Sequence, residues 1–329
     1  MRKIFQNIAV AAAALLLCLL FGEAAVRCMF HFVTSYDYEM WRYAAELKQP
    51  LDSSELPFTH RANRNGRYYG VDIRTNSLGM RDPERTVVKP AGCRRVLFLG
   101  DSYTLGWGVP EEATFSRMLE RLLARKETPV QVINMGVGNY NSAMEVALLK
   151  RQGLMLDPDL VVLMYYINDV EPTPELGRVS YWLQRHFYLL GFIRTKVRQL
   201  ALMGKGEDWL ESYYRKLYTV GAPGLKQNRL ALQELARLCR SRNIRLLLVN
   251  IPDLHRLENY PFSYATEFVR SLAAENGVPF LDLLPVFAGN RGKSLWVSEA
   301  DSHSNARANG LASEAIIRKI STEGLLAPR

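Results

Sequence analysis

Four short stretches of this sequence combine residue types that can carry out acyl transfer. Gly100-Asp101-Ser102 follows the apolar run Val96 to Leu99, and Gly136-Val137-Gly138-Asn139 follows Val130 to Met135. Asn168-Asp169 follows Leu160 to Tyr166, and Asp301-Ser302-His303 lies just before the helical stretch Ala306 to Ile320. Attack on an ester needs a nucleophile, a base, a group that orients the base, and donors for the oxyanion. A serine hydroxyl is a poor nucleophile until a histidine takes its proton. The imidazole needs a carboxylate to fix its tautomer, and the oxyanion needs N–H donors already in place. A serine at Ser102 presents its hydroxyl and its own N–H to one substrate atom. Alone, Gly-Asp-Ser is an ordinary turn tripeptide. The other three stretches distinguish it, because together the four supply each part once.

Such groups must be held by a scaffold, and the sequence describes one. Val96 to Leu99, Val130 to Met135, Leu160 to Tyr166, Ile244 to Ile251 and Val278 to Leu283 are apolar runs of strand length. Between and after them, helical spacing is found over Thr114 to Lys126, Asn141 to Gly153, Gly224 to Arg242, Tyr264 to Asn276 and Ala306 to Ile320. Strand and helix alternate, which implies a parallel sheet covered on both faces. The expected fold is α/β: a three-layer α/β/α, flavodoxin-like arrangement with a five-stranded parallel sheet, preceded by an N-terminal transmembrane helix. The chemistry-bearing stretches then fall at carboxyl ends of strands, where open α/β sheets bind ligands.

With these blocks in place, the chain resembles the SGNH, or GDSL, hydrolase superfamily over roughly Arg94 to Ile320. It is similar in particular to a membrane-anchored bacterial branch of envelope O-acetyltransferases and esterases. The resemblance implies that Ser102 is the nucleophile and that its own N–H serves the oxyanion. It makes the Asn168 amide a second oxyanion donor, and Asp301 and His303 the orienting acid and the general base. A backbone N–H of the second block, from Gly138 or Asn139, would be the third donor. No cofactor and no metal is implied. Three departures stand out. The second block continues Gly138-Asn139-Tyr140 where the family ends in glycine, and Asn tolerates the left-handed conformation better than most residues. The third block begins with Tyr166 where the family has glycine. The commoner last block has Asp three residues before His, which is Ala300 here, whereas Asp301 is two before. In an extended segment residues two apart point the same way, so Asp301 and His303 face the serine together. Glu299 shares that parity but lies one pair further back.

The implied activity is hydrolysis of O-acyl esters on envelope glycans or lipids. The alternatives are an O-acyltransferase modifying an exported polysaccharide, and a catalytically silent scaffold in a polysaccharide-export assembly. A scaffold has no need of Ser102, Asn168, Asp301 and His303 together. The acyl-ester substrate and the membrane are the expected partners, and no oligomeric state is legible.

The 329 residues suffice for one large α/β domain with an appendage, and 48% apolar with 23% charged residues is a globular composition. The net charge of +9 suits an anionic membrane surface or an acidic polymer. Nucleic acid is excluded as a partner because no zinc-finger spacing, RNA-binding signature or dense basic tract is present. Arg2 and Lys3 precede an apolar run from Ile8 to Phe21, which reads as a membrane anchor or signal peptide over residues 1–26. The positive-inside rule sends the body out of the cytoplasm, to the periplasmic face of the inner membrane.

Residues 27–92 form a juxtamembrane lead-in, with a helix expected within Phe30 to Leu56, and residues 93–325 form the catalytic domain. In the lead-in, Tyr68 to Ile73 is expected to pair with Thr75 and beyond, and Asn76 to Arg81 reads as a structural turn. The stretch 171–222 is far longer than a usual connection. Within it, Tyr181 to Met203 mixes aromatics with Arg185, Arg194, Lys196 and Arg198. It reads either as a packed helix or as a cap that touches the membrane surface. Among the cysteines, Cys239 reads as a buried thiol, with a Cys93–Cys239 disulfide as the alternative. His255 reads as a surface-loop histidine, with pocket lining as the alternative. His31, His60 and His186 have no partner pattern.

Overall fold

The computed structural model describes residues 1–30, 32, 35–124, 129–175, 178–203 and 209–327. His31 lies outside them, as do Arg125 and Lys126 at the end of the helix expected from Thr114. The chain opens with α1 (Arg2–Met29) and α2 (Tyr36–Leu47). Two antiparallel pairs follow, β1 (Lys48–Pro50) with β2 (Phe58–His60) and β3 (Asn65–Tyr68) with β4 (Val71–Arg74). The main domain then runs β5 (Arg94–Gly100), α3 (Ser102–Leu105), α4 (Phe115–Leu123), β6 (Val130–Asn134), α5 (Ser142–Leu148) and β7 (Leu160–Tyr165). The long excursion contributes α6 (Arg178–His186), α7 (Tyr188–Met203) and α8 (Trp209–Leu217). The chain finishes with α9 (Pro223–Ser241), β8 (Arg245–Asn250), α10 (Ser263–Glu275), β9 (Phe280–Asp282), α11 (Leu284–Phe287), the antiparallel pair β10 (Trp296–Ser298) and β11 (Asp301–Ser304), and α12 (Ala306–Thr322).

Strands β5 to β9 form a five-stranded parallel sheet in the order β6-β5-β7-β8-β9. Side chains alternate between its faces with the period of two that a strand imposes. Leu97, Leu99, Val161 and Leu163 enter one core with residues of α5 and α9. Val96, Phe98, Val162 and Met164 enter the other with residues of α4 and α12. Both faces are therefore dry, as the uninterrupted apolar runs require. The strand order reverses between β5 and β7, and in an open α/β sheet the ligand crevice lies at that switch point. Ser102 follows β5 and Asn168 follows β7, so the two flank it.

Several elements differ from the sequence reading. The lead-in helix stops at Leu47, where Lys48 becomes extended and pairs with β2; Pro50, which cannot donate within a helix, follows at once. The hairpin turn falls inside Tyr68 to Ile73, at Tyr69-Gly70, so Asn65–Tyr68 pairs with Val71–Arg74. Both turn residues have positive φ, 47° and 80°, as a two-residue hairpin with matching twist needs. The helix expected over Asn141 to Gly153 is α-helical only to Leu148 and closes in a π turn over Leu149–Gly153. Cys93 and Cys239 are both buried free thiols with no disulfide between them, and burial pushes Cys239 up to about 12.

The excursion divides its work. Helix α7 packs along the last turns of α1, where both Glu23 carboxylate oxygens accept from the N–H groups of Tyr188 and Leu189 at 2.9 and 2.8 Å. Phe30, Tyr38, Trp41, Tyr188 and Phe192 close that junction as an aromatic cluster. Helix α8 instead returns to the carboxyl end of the sheet. Helix α1 has 28 residues, about 42 Å at 1.5 Å per residue, and its 18-residue apolar window, of mean hydropathy 2.3, is wholly exposed.

Candidate active site

The β5–α3 turn presents Ser102. Gly100 is required there by close approach, since a Cβ would lie 2.0 Å from Thr104 Oγ1. Asp101 caps α3, its Oδ1 accepting from the Tyr103 N–H at 2.9 Å, and its Oδ2 accepts from Asn168 Nδ2 at 3.1 Å. One carboxylate thus fixes both the nucleophile turn and the amide that faces it. Ser102 Oγ lies 2.8 Å from His303 Nε2, and His303 Nδ1 lies 2.6 Å from Asp301 Oδ1. Asp301 and His303 stand two apart on β11, both buried, with Ser302 more exposed between them. Glu299 is exposed and outside this chain of contacts.

The geometry fixes the direction of each proton. The second oxygen of Asp301 accepts from the Trp107 indole at 3.0 Å, and the first also accepts from the His303 N–H at 3.0 Å. Burial raises the Asp301 pKa, but the His303 ring and N–H and the Trp107 indole outweigh it and hold the carboxyl below its ordinary value. An ionised Asp301 keeps the imidazole proton on Nδ1, so Nε2 is free to accept from Ser102. The His303 ring is stacked between Tyr103 and Tyr36, at centroid distances of 4.7 and 5.5 Å.

The candidate oxyanion donors separate. Gly138, one of the two N–H groups the sequence leaves open for the oxyanion, donates its N–H to Tyr43 Oη at 2.9 Å. Asn139 takes the left-handed conformation at φ 65° and lines the pocket with Ser102 and Asn168. That pocket, about 250 Å³, also takes in Tyr36, Tyr166, Leu210 and Tyr214. The last two come from α8, which makes this part of the excursion a wall of the site.

Residues 98–311 match the GDSL-like lipase/acylhydrolase family. The chain belongs to this family. It is an SGNH-type ester-hydrolase chain, with the fold that its sequence blocks lead one to expect. Among solved structures it is similar to TesA, with 16% identity and a TM-score of 0.46 over 70% of this chain and 99% of that one. It is also similar to the acetylxylan esterase Axe2 from Geobacillus stearothermophilus, with 17% identity, a TM-score of 0.46, and 71% and 96% of the two chains covered. A lipase/acylhydrolase from Enterococcus faecalis gives 16% identity and a TM-score of 0.45 over 70% and 96%. No curated protein sequence matches the chain.

Several residues around this GDSL-family site escaped the sequence reading. His60, which has no partner pattern in the sequence, is buried with its Nε2 2.5 Å from Tyr43 Oη and its Nδ1 3.2 Å from the Gly79 carbonyl. Burial, with the nearby Lys48 charge, pushes its pKa down to about 3. The ring is therefore neutral: Nδ1 donates to Gly79, and Nε2 accepts from Tyr43. Lys48, 4% exposed, donates to the Gly138 carbonyl at 2.5 Å and to Asn139 Oδ1 at 3.0 Å. Desolvation lowers its pKa to about 7. Arg81, wholly buried, donates to the carbonyls of Leu105, Gly106, Asp72 and Val109. It clamps the loop that carries Trp107. None of these has a local sequence signal, because their partners lie far along the chain.

His255 needs a correction. It is not merely a surface-loop residue: it lines the same pocket as Ser102 and His303, with Asp253 behind it. Tyr166, the departure from glycine in the third block, donates its hydroxyl to Asp253 Oδ2 at 2.7 Å. His186 lies on α6, with Nδ1 2.8 Å from the Trp182 carbonyl, and does not line the pocket.

Proposed function

We propose that this chain is a membrane-tethered serine esterase that removes short acyl groups from envelope glycans through Ser102, His303 and Asp301. The observation that carries the reading is the unbroken line of contacts from Ser102 Oγ to His303 Nε2 and from His303 Nδ1 to Asp301, at 2.8 and 2.6 Å. In the first step His303 Nε2 takes the Ser102 proton as Oγ attacks the acyl carbon. The oxyanion is met by the N–H groups of Ser102 and Asn139 and by the Asn168 amide, whose orientation Asp101 fixes. Donors already in place need no reorganisation as charge develops. Collapse breaks the bond to the alcohol oxygen, which leaves with a proton from an imidazole of the site, and Ser102 stays acylated. Water then gives a proton to an imidazole as its oxygen bonds to the acyl carbon, and the acid departs as Ser102 Oγ recovers its proton.

The small tyrosine-rich pocket, about 250 Å³, supports a short acyl group rather than a long lipid chain. Membrane tethering is supported by α1, long and apolar enough to cross a bilayer, behind Arg2 and Lys3. Retention of α1 is favoured over cleavage because Glu23 and Val26 pack onto the domain. Beside that junction, Trp182, Phe187, Leu190, Ile193 and Val197 are exposed, with Arg194 and Lys196 among them, a surface suited to anionic lipid. The reading places the body on the periplasmic face.

The test is labelling of the full chain in membranes with a fluorophosphonate probe, followed by assay on acyl esters of graded chain length. Labelling that is lost in Ser102→Ala, with acetyl esters turned over faster than long-chain ones, is expected. A Ser102→Ala protein that is folded and still turns over ester would overturn the assignment. A body shielded from protease in spheroplasts would overturn the location.

A further inference from the structure

Two Asp-x-His units share the pocket. In both the aspartate accepts from the N–H and Nδ1 of the histidine two residues on, although His255 Nδ1 is shared between both Asp253 oxygens, at 3.1 and 3.2 Å, where His303 Nδ1 meets one Asp301 oxygen. In the first, Asp301 Oδ1 accepts from the His303 N–H at 3.0 Å and from His303 Nδ1 at 2.6 Å. In the second, Asp253 Oδ1 accepts from the His255 N–H at 3.0 Å and from His255 Nδ1 at 3.1 Å. Each aspartate is buried and has an additional donor on its other oxygen: the Trp107 indole for Asp301, the Tyr166 hydroxyl for Asp253. In both, the carboxylate fixes the proton on Nδ1 and leaves Nε2 to exchange protons with something else. For His303 that partner is Ser102. His255 Nε2 has no acceptor or donor among the described residues, and its ring stands about half exposed at the pocket wall.

Resting on the esterase reading above, we propose that His255 is a second acid–base residue of this site, which handles the proton of the alcohol half of a glycan ester. The position fits. His303 is held by Asp301 and packed between two tyrosine rings, with its Nε2 on Ser102 Oγ. His255 lies where the Ser102 pocket meets a neighbouring hollow of about 480 Å³, walled by Trp209, Leu210, Pro261 and Phe262 together with the charged side chains of Glu211 and Arg256. Aromatic and apolar side chains beside an imidazole, a carboxylate and a guanidinium suit a sugar ring with its hydroxyls. The first pocket then holds the acyl group and the second the alcohol.

The protons balance over the cycle. Protonated His255 and neutral His303 begin it. Ser102 Oγ bonds to the acyl carbon and gives its proton to His303; the bond from that carbon to the alcohol oxygen breaks, and the oxygen takes a proton from His255. The acyl-enzyme thus carries a protonated His303 and a neutral His255. Water, or a second sugar hydroxyl, gives its proton to His255 as its oxygen bonds to the acyl carbon. The Ser102 ester bond breaks, and Oγ recovers its proton from His303. The hydrogen bond that His255 donates to Asp253 raises the His255 pKa, with burial opposing and the charges of Asp253 and Asp301 adding to the rise, which favours the protonated starting state.

The experiment compares two acetyl esters on the full chain: a methyl glycoside carrying one O-acetyl group, and p-nitrophenyl acetate. The sugar alkoxide is a poor leaving group without a proton, whereas the nitrophenolate leaves readily without one. His255→Gln is expected to lower kcat/KM on the sugar acetate by ~100-fold and on the phenyl ester by no more than ~3-fold, in keeping with general acid catalysis. His255→Asn serves as the second variant and should give the same split. Fluorophosphonate labelling of Ser102 in each variant reports an intact nucleophile. Parallel losses on the two esters, or no loss on either, with labelling retained, would overturn the role of His255 and leave the esterase reading standing. Wild-type chain that neither labels nor turns over either ester would overturn the esterase reading, and this inference with it.

Discussion

The carboxyl end of the sheet and the lead-in that folds over it make opposite use of their residues. On the sheet side, Ser102, Asn168, Asp301 and His303 stand in short motifs at the ends of regular elements. On the lead-in side, Tyr43, Lys48, His60 and Arg81 are buried polar groups that reach none of the reacting positions. They hold the backbone of two loops, Arg81 that after α3 and Tyr43 with Lys48 the Gly138-Asn139 turn. On the reading proposed above, the site has a chemical half and a positioning half. A buried donor or acceptor left unpaired costs about 1–3 kcal/mol, so each positioning contact also ties the lead-in to the domain.

If that division holds, substitutions on the sheet side should act on kcat by orders of magnitude, and those in the lead-in should act mildly on kcat and clearly on stability. The largest effect in this series is expected for Asp301→Asn, with a loss of ~10⁴ in kcat, because the wrong imidazole tautomer would face Ser102. Glu299→Gln should stay near wild type in the same assay. The reverse pattern would move the orienting acid to Glu299.

Next, Asn168→Ala should lower kcat by ~10²–10³ with little change in KM, as for deletion of an oxyanion donor. A pure KM effect would make Asn168 a binding residue. In the lead-in, Tyr43→Phe leaves the Gly138 N–H and His60 Nε2 without their shared partner. The expected result is a loss of roughly tenfold in kcat, well below the ~10²–10³ of a deleted donor, with a lower melting temperature. A loss as large as that of Asn168→Ala would erase the distinction between the two halves.

The smallest effect concerns Lys48, and its sign follows from burial. The pKa of Lys48 is lowered from 10.5 to about 7 in the folded chain. Below pH 7 folded and unfolded forms both carry the proton, and the folded form bears the full cost of the buried charge. Between about 7 and 10.5 the folded form has released the proton while the unfolded form retains it, so stability rises with pH through that window. Lys48 should therefore add on the order of 2 kcal/mol of stability between pH 7 and pH 9, and Lys48→Met should remove that rise. Denaturation midpoints of both proteins at the two pH values are the measurement. An unchanged slope in Lys48→Met would mean that Lys48 stays charged on the Gly138 carbonyl throughout.

The same division explains how much was legible. The strands that bear the chemistry are buried on both faces, so they read as uninterrupted apolar runs, and the residue types that follow them are few and specific. The Asp301–His303 parity was legible because two residues on one strand share a face whatever surrounds them. Tyr43 and His60 are 17 positions apart and meet only through the β1–β2 pair, while Lys48 reaches Gly138 across 90 positions. No local pattern encodes such a contact. The turn at Tyr69-Gly70 is a different case: Tyr68 and Ile73 are buried and alternate with exposed Arg67, Asp72 and Arg74, and such alternation marks which face is buried without marking where the chain doubles back.

By itself, then, the sequence determined the parallel sheet, the apolar N-terminal helix and the identity of the candidate triad, because apolar period and motif spacing are local properties of a chain. Tertiary structure decided that the Gly138 N–H is taken by Tyr43 Oη, the contact on which the proposal of Asn139 as the oxyanion donor rests. It also decided that His255 shares the pocket of Ser102. A histidine on a loop faces solvent or a site according to where distant segments pack, and here Tyr166, Asp253 and α8 converge around it only once the sheet has formed.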